Sequence, residues 1–212
     1  MSVQKAGHKN RHKKQGLLFV ISGPSGSGKT TLLGKVLLTK VLRRKLAKSI
    51  SVTTRSQRSG EREGQDYFFI SPAEFRRLHK AKKILEWTRY LGYYYGTKKD
   101  ALEKSLASGR HLALCLDMRG ALRLKRLYPK NTVTVFIEPP SLKELRKRIA
   151  GRCCQTKPEE IERRVRLAQA ELKNSRRYDY VVKNNNLTQA AARLGDIILK
   201  EIGDFKTTAR CN

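Results

Sequence analysis

A glycine-rich segment between an apolar run and a helical run constrains this chain more than any other feature. Residues Gly23–Thr30 read GPSGSGKT and fit the pattern G-x-x-x-x-G-K-[ST] of a phosphate-binding P-loop. Residues 17–21 before it are apolar and predict a buried strand, and residues from Lys29 to about Leu46 predict a helix. A strand, a glycine loop and a helix N-terminus together direct backbone N–H groups and the positive end of a helix dipole to one place. The segment therefore predicts a site for the phosphates of a nucleoside triphosphate.

Two side chains of this segment have specific expected roles. The Lys29 ammonium can reach the β- and γ-phosphates, and the Thr30 hydroxyl can ligate Mg²⁺. We expect the other members of the loop, and the residue after it, to contact the triphosphate: Gly23, Pro24, Ser25, Gly26, Ser27, Gly28 and Thr31.

Strands and helices alternate along most of the remaining chain. Ser71 and Ser141 each begin a capping box, S-x-x-E, which opens a helix. The alternation is typical of an α/β protein whose parallel sheet is covered by helices on both faces. Residues 65–95 interrupt it with short aromatic segments, which predict an inserted β-rich subdomain. Further strands are predicted at 50–54, 111–116, 132–137 and 180–182, and helices at 100–108, 158–177 and 187–202.

The formal net charge of +29 restricts the partners that this chain can have. Such a charge indicates either nucleic-acid binding through phosphate contacts or a cationic field that attracts phosphorylated substrates. The cations are spread along the whole chain and no nucleic-acid motif is present, which favours the second interpretation. Residues 1–16 contain five Lys/Arg and no acid and predict a flexible basic arm. A nucleic-acid contact by this arm is the less favoured alternative.

Composition also bears on location and assembly. No stretch approaches the roughly 20 apolar residues of a membrane span, and the N-terminus lacks the apolar core of a signal peptide. We expect no membrane contact and a cytoplasmic location. The four cysteines lack the spacing of a zinc site. The sequence leaves the oligomeric state open between a monomer and a homodimer.

Several further motifs identify a resemblance. The chain carries SVTTRSQRSGE at 51–61, GQDY at 64–67, LEW at 85–87, YYGT at 94–97, DMRGA at 117–121 and AQAE at 168–171. In this order, with the P-loop, they resemble the guanylate kinases over about 17–199. The resemblance implies a P-loop NTPase-type parallel sheet, an inserted GMP-binding subdomain and a helical lid. It also implies transfer of the γ-phosphoryl group of ATP to GMP or dGMP in purine metabolism, with Mg²⁺ as cofactor.

The resemblance divides the chain into expected parts. These are a basic arm (1–16), a kinase-like domain (17–205) and a tail (206–212). Within the domain they are a core (17–48, 98–140 and 178–205), a GMP-binding subdomain (about 49–97) and a lid (about 141–177).

The resemblance also implies residue roles. The GMP phosphate is expected to meet Ser51, Arg55, Arg58, Tyr67 and Tyr95, with Glu61 also in the GMP site. Glu86 and Asp117 are the expected acceptors of guanine N1–H and N2–H₂, and Thr97 the partner of O6. Carboxylates suit this edge because adenine offers no matching donors. Lys29, Arg148, Arg152 and Arg164 form the expected catalytic set, and Asn184 is expected near the adenine.

One departure from the family affects the metal site. Cys115 occupies a position where relatives carry an acid close to Mg²⁺. Either Thr30, phosphates and waters hold the ion, or turnover is impaired. The intact catalytic set favours the first account.

Two rival functions share this motif set. A guanylate-kinase-like binding module would lack the P-loop lysine and the lid arginines, which are present here. A P-loop kinase for another phosphorylated acceptor would not need Glu86, Thr97 and Asp117.

Overall fold

The computed structural model describes residues 15–151 and 158–208, and the side chains up to residue 204. The strands in these ranges are β1 (Leu18–Ser22), β2 (Leu46–Lys48), β3 (Ser51–Thr53), β4 (Tyr67–Phe69), β5 (Ile84–Tyr90), β6 (Tyr93–Lys98), β7 (His111–Cys115), β8 (Thr132–Glu138) and β9 (Tyr180–Lys183). The helices are α1 (Lys29–Leu38), α2 (Lys40–Lys45), α3 (Pro72–Lys80), α4 (Lys99–Ala107), α5 (Met118–Leu127), α6 (Leu142–Ala150), α7 (Pro158–Leu172) and α8 (Leu187–Thr208).

The first sheet is parallel and has the order β2-β7-β1-β8-β9. Its central strand β1 is apolar from Leu18 to Ile21 because helices cover both faces of the sheet. Phe19 and Ile21 pack with residues of α1 and α8, whereas Leu18 and Val20 pack with residues of α4 and α5. The predicted α/β class is confirmed.

Parallel strands end at the same edge of a sheet, and this edge positions the site. The P-loop follows β1, Asp117 follows β7 and Asn184 follows β9. The motifs that are far apart in sequence are therefore neighbours at one edge.

The second sheet has the order β4-β3-β6-β5 and is consistent with an inserted subdomain. Strands β5 and β6 form an antiparallel hairpin whose two loop residues, Leu91 and Gly92, have φ of 50° and 88°. Two positive φ values are what a type I′ loop requires. Helix α3 packs against the strands of this sheet, and the core between them is formed by Val52, Phe75 and Ile84.

Two helix predictions are wrong in detail. The helix predicted from Lys29 to about Leu46 breaks at Thr39, which is extended and whose hydroxyl donates to the Val36 carbonyl at 2.8 Å. Leu46 then starts β2 and pairs with His111, so pairing in the sheet overrides the helical spacing of Leu42 and Leu46. The helix predicted at 158–177 ends at Leu172 before a short 3₁₀ turn. The strand predicted at 50–54 is present as β3 and belongs to the second sheet.

Within the described part of the chain, no helix is both long and apolar enough to cross a bilayer.

Asp179, just before β9, joins three elements. Its Oδ2 accepts Lys125 Nζ of α5 at 2.8 Å and the Thr134 N–H of β8 at 2.8 Å. Burial alone would raise the pKa of this carboxyl, but the bonds from Lys125 and Thr134 outweigh it and lower the pKa. A lowered folded-state pKa stabilises the fold at neutral pH, and this contribution is lost as pH falls through the folded-state value.

Asp179→Asn should lower the free energy of unfolding by about 1 kcal/mol at pH 7, because a charge-assisted network is lost. The difference from the parent protein should shrink below about pH 4, where unfolded Asp is protonated. Chemical denaturation at pH 7 and pH 3.5 measures both values. Asp196→Asn, an exposed change on α8, is the control. A loss of equal size at both pH values would contradict the account.

Candidate active site

A cavity of about 1270 Å³ lies between the carboxyl edge of the first sheet, the second sheet and α7. The structure brings most of the predicted site residues into its lining. These are Gly23, Ser25, Gly26, Gly28, Lys29, Thr30, Ser51, Arg55, Arg58, Glu61, Tyr67, Glu86, Tyr95, Asp117 and Arg164.

A smaller cavity of about 290 Å³ shares Gly26 and Gly28 with the main one. Thr31, Arg148 and Asn184 line this second cavity and not the first. The P-loop therefore separates two groups of predicted residues. Arg152 lies outside the described residues.

The P-loop is held by contacts to its own backbone and to β9. Lys29 Nζ donates to the carbonyls of Gly23 at 2.6 Å and Pro24 at 2.9 Å. The buried Asn184 amide donates to the Ser27 carbonyl at 2.8 Å. Gly28 has φ of 95°, and a Cβ there would lie 2.4 Å from Asn184 Nδ2. Only glycine combines this conformation with this approach.

Arg55 is the central cation at the end of the cavity that the second sheet forms. The residue is 7% exposed, and its guanidinium donates two hydrogen bonds to the Glu61 carboxylate, at 2.7 and 2.9 Å. It also lies over the rings of Tyr67 and Phe69, with 5.6 and 5.8 Å to their centroids. Its buried Nε has no hydrogen-bond partner within the described residues, so this donor remains to be satisfied. Arg58 is exposed at the rim, where its backbone N–H donates to Glu61 at 2.9 Å.

The environment of Arg55 and Glu61 favours the charged form of both side chains. Burial by itself lowers the pKa of Arg55 and raises that of Glu61. The bond between the two groups outweighs burial, so the pKa of Arg55 is raised and that of Glu61 lowered. Burial raises the pKa of Tyr67 to about 12, so its hydroxyl stays a hydrogen-bond donor.

Glu86 is a buried carboxyl enclosed by β6 and α5. Thr97 Oγ1 donates to Glu86 Oε1 at 2.6 Å, and the glutamate is 2% exposed. A Cβ on Gly120 would lie 2.6 Å from Oε2, so α5 can approach this closely only with glycine there. Asp117 caps α5, with its Oδ1 accepting the Gly120 N–H at 2.8 Å. Thr97 does not line the cavity, and its predicted contact with guanine O6 stays a prediction.

The environment of Glu86 disfavours its charge. Burial, with a smaller contribution from the negative charge of Asp117, raises the pKa of Glu86 to about 7. The Thr97 hydrogen bond and the Arg123 charge act in the opposite direction. Near neutral pH the carboxyl is thus poised between its two protonation states.

The helical side of the cavity contributes Arg164 and two residues that the sequence analysis missed. Arg164 is buried, pairs with Glu160, and has an Nε without a partner in the described ranges. Glu171 is half-buried in the cavity, and burial raises its pKa while the Lys29 charge lowers it. Tyr90 also lines the cavity and interacts with the Ser25 side chain of the P-loop. The AQAE motif contains Glu171 without indicating its role, and no spacing signalled Tyr90.

The residues present fit a Mg²⁺ ion that is bound mainly by phosphates and water. Thr30 and Cys115 line the cavity together, and burial raises the pKa of the Cys115 thiol, which leaves it a poor ligand for a hard cation. No group of three or more His, Cys, Asp or Glu suited to a metal occurs among the described residues. The Thr30 hydroxyl agrees with an ion that keeps several waters.

The raised pKa of Glu86 has a consequence for stability. Because the folded-state value of about 7 exceeds the ordinary 4.5, the folded protein binds more protons between these values. Stability therefore falls as pH rises through this window. The side chain in Glu86→Gln does not titrate. The free energy of unfolding of this variant should therefore rise by about 2 kcal/mol relative to that of the parent between pH 5 and pH 8. Denaturant unfolding at the two pH values measures this, and an unchanged difference would contradict the assignment.

Comparison with known proteins gives a consistent result. The family model described as Guanylate kinase matches residues 15–201. The chain is 44% identical to the guanylate kinase of Caldanaerobacter subterraneus subsp. tengcongensis, over 89% of each chain. It is 42% identical to that of Bacillus subtilis, over 89% of this chain and 91% of the relative. The crystal structure of guanylate kinase from Anaplasma phagocytophilum superposes with a TM-score of 0.73 at 32% identity, covering 89% of this chain and 87% of that one. Together with the P-loop and the cavity, these matches place the chain in the guanylate kinase family.

Proposed function

We propose that this protein transfers the γ-phosphoryl group of ATP to GMP or dGMP, giving ADP and GDP or dGDP. The observation that carries this proposal is that one cavity is lined by the P-loop Lys29, the Arg55 cluster and the carboxyls of Glu86 and Asp117. Phosphoryl transfer between two nucleotides needs two anion sites that face each other, and a selective acceptor site needs a reader for the base.

The donor site consists of the P-loop and the cavity behind it. The N–H groups at the start of α1 and the Lys29 ammonium bind the triphosphate. Thr31, Arg148 and Asn184 surround the second cavity, which suits the nucleoside end of ATP. Thr30 would hold Mg²⁺, which neutralises phosphate charge when bound.

The acceptor phosphate binds beside Arg55. The Glu61 carboxylate and the aromatic rings fix this guanidinium, while its buried Nε still needs an acceptor. The other residues of the proposed phosphate site that line this end of the cavity are Ser51, Arg58, Tyr67 and Tyr95. A preorganised cation of this kind binds an anion without losing side-chain entropy at the moment of binding.

The base edge is read by Glu86 and Asp117. As carboxylates they accept the N1–H and N2–H₂ donors of guanine, and adenine would leave both buried acceptors unpaired. A charge-assisted bond to guanine also compensates for the desolvation that raises the pKa of Glu86.

Closure of α7 over the phosphates supplies the remaining positive charge. Arg164, already buried against the cavity, presents an unsatisfied Nε. Guanidinium groups suit the transferring phosphoryl group because charge spreads over its equatorial oxygens in the transition state. Exclusion of water by this closure directs transfer to GMP and limits ATP hydrolysis.

An ADP-release assay with ATP and GMP, dGMP, AMP, CMP or UMP tests the reaction. The parent protein should prefer GMP and dGMP. Glu86→Gln should lower kcat/KM for GMP by about 10- to 100-fold and narrow the gap to AMP, because one charge-assisted pairing is lost. Lys29→Ala, the control for background, should lose turnover with every acceptor. Unaltered GMP preference in the Glu86 variant would refute the base-reading role.

Gly120 should be required for the position of Glu86. Gly120→Ala puts a methyl group against Oε2, so the carboxylate has to move inside a closed environment. We expect about a tenfold loss in kcat/KM for GMP, with KM for ATP unchanged. Gly34→Ala is the matched control, because Gly34 is an exposed position of α1 where a Cβ meets nothing within 4 Å. Equal losses in the two variants would contradict the positioning role.

A further inference from the structure

The face opposite the active site carries a concentration of cations. The amino ends of the parallel strands β2, β7, β1 and β8 lie at this edge, and exposed Lys or Arg residues precede three of them. We define the amino-edge cluster as Arg43, Arg44, Lys45, Arg110 and Lys130, all of which are exposed.

Contacts join the members of this cluster into one surface. Lys45 precedes Leu46, which pairs with His111 directly after Arg110. The Arg110 carbonyl lies against Gly16, and the Gly16 carbonyl accepts the Asn131 side-chain amide at 2.9 Å next to Lys130. The cations therefore follow the sheet edge from β2 to β8.

The acids nearest this edge are engaged elsewhere: Asp179 pairs with Lys125, and Glu103 accepts the Tyr128 hydroxyl at 2.9 Å. Residues 40–48, 105–113 and 126–134 contain no Asp or Glu. Within the described ranges, none of the five cluster side chains forms an ion pair.

The spacing suits a polyphosphate backbone. Four strands about 4.8 Å apart span roughly 14 Å, a length over which one nucleic-acid strand presents several successive phosphates. Arg and Lys without structural partners bind such phosphates by releasing counterions, with no need for base contacts.

From these observations we propose that the amino-edge cluster is a binding surface for the phosphate backbone of RNA, separate from the nucleotide cavity. Binding is independent of RNA sequence and steeply dependent on salt. Because the cavity opens at the opposite edge of the sheet, the protein can hold RNA and its nucleotides together.

Fluorescence anisotropy with a labelled 20-nucleotide oligouridylate tests the proposal on the full chain. At 50 mM salt, the triple variant Lys45→Gln, Arg110→Gln, Lys130→Gln should bind about tenfold more weakly than the parent. The slope of log affinity against log salt should fall in magnitude by about 2, as expected when three phosphate contacts are lost. Saturating GMP and ADP should leave RNA affinity unchanged.

A matched control separates a local surface from net charge. Arg76→Gln, Lys80→Gln, Lys83→Gln removes the same three charges from exposed positions on and after α3. Neither triple lines the nucleotide cavities, so both should keep the parent kcat/KM for GMP, which also verifies folding.

Several results would overturn the proposal. They are absence of RNA binding by the parent, equal weakening by the two triple variants, or displacement of RNA by GMP and ADP. A different outcome would assign the surface to an anionic membrane instead. In that case the parent would not bind RNA but would cosediment with phosphatidylserine vesicles, and the amino-edge triple variant would not.

Discussion

The parallel order of the first sheet is the constraint on which the rest of the structure depends. β1 is buried on both faces and flanked by β7 and β8, so its carboxyl end can be reached only at one edge. The P-loop, Asp117 and Asn184 follow three different strands and meet there. Since α1 starts at the same edge, its dipole and N–H groups point to the cavity without further rearrangement.

In the proposed function, the second sheet supplies specificity through the buried polar groups Arg55 and Glu86, each of which is costly to bury. The charge of Arg55 is compensated by the Glu61 carboxylate and by the aromatic rings, so it is stable within the fold. Glu86 is less well compensated, since Thr97 supplies one hydrogen bond and the neighbouring Asp117 has the same charge. This contrast suits a site in which the phosphate anchor is preformed and the base reader gains its full compensation from the ligand.

The charges of the molecule are divided between two edges. At the carboxyl edge, acids such as Glu61 and Glu160 pair with the arginines and orient them. At the amino edge, the cluster from Arg43 to Lys130 has no ion-pair partner within the described residues. A net charge of +29 is thus not one uniform field but acts through surfaces with different chemistry.

Much of the fold and of the candidate site could be predicted from the motifs, because a P-loop, a capping box and an apolar strand are each defined by local spacing in the sequence. Ser71 and Ser141 cap their helices as the pattern predicts, each accepting an N–H three residues on at 3.1 Å. The break at Thr39 could not be read from the sequence, since Leu42 and Leu46 fit a helix equally well and only pairing with β7 makes Leu46 a strand residue.

The sequence by itself determined the family through its motifs, and it supplied the side chains of the proposed site: a P-loop for a triphosphate, arginines for a second phosphate and two carboxyls for a base edge. Only the tertiary structure decided how these groups are divided and tuned. It places Arg148 and Asn184 behind the P-loop, brings Glu171 and Tyr90 into the cavity, and encloses Glu86 between Thr97 and Gly120. The physical reason is that burial and distance between remote segments set the pKa and orientation of a side chain, and neither quantity is encoded in local spacing.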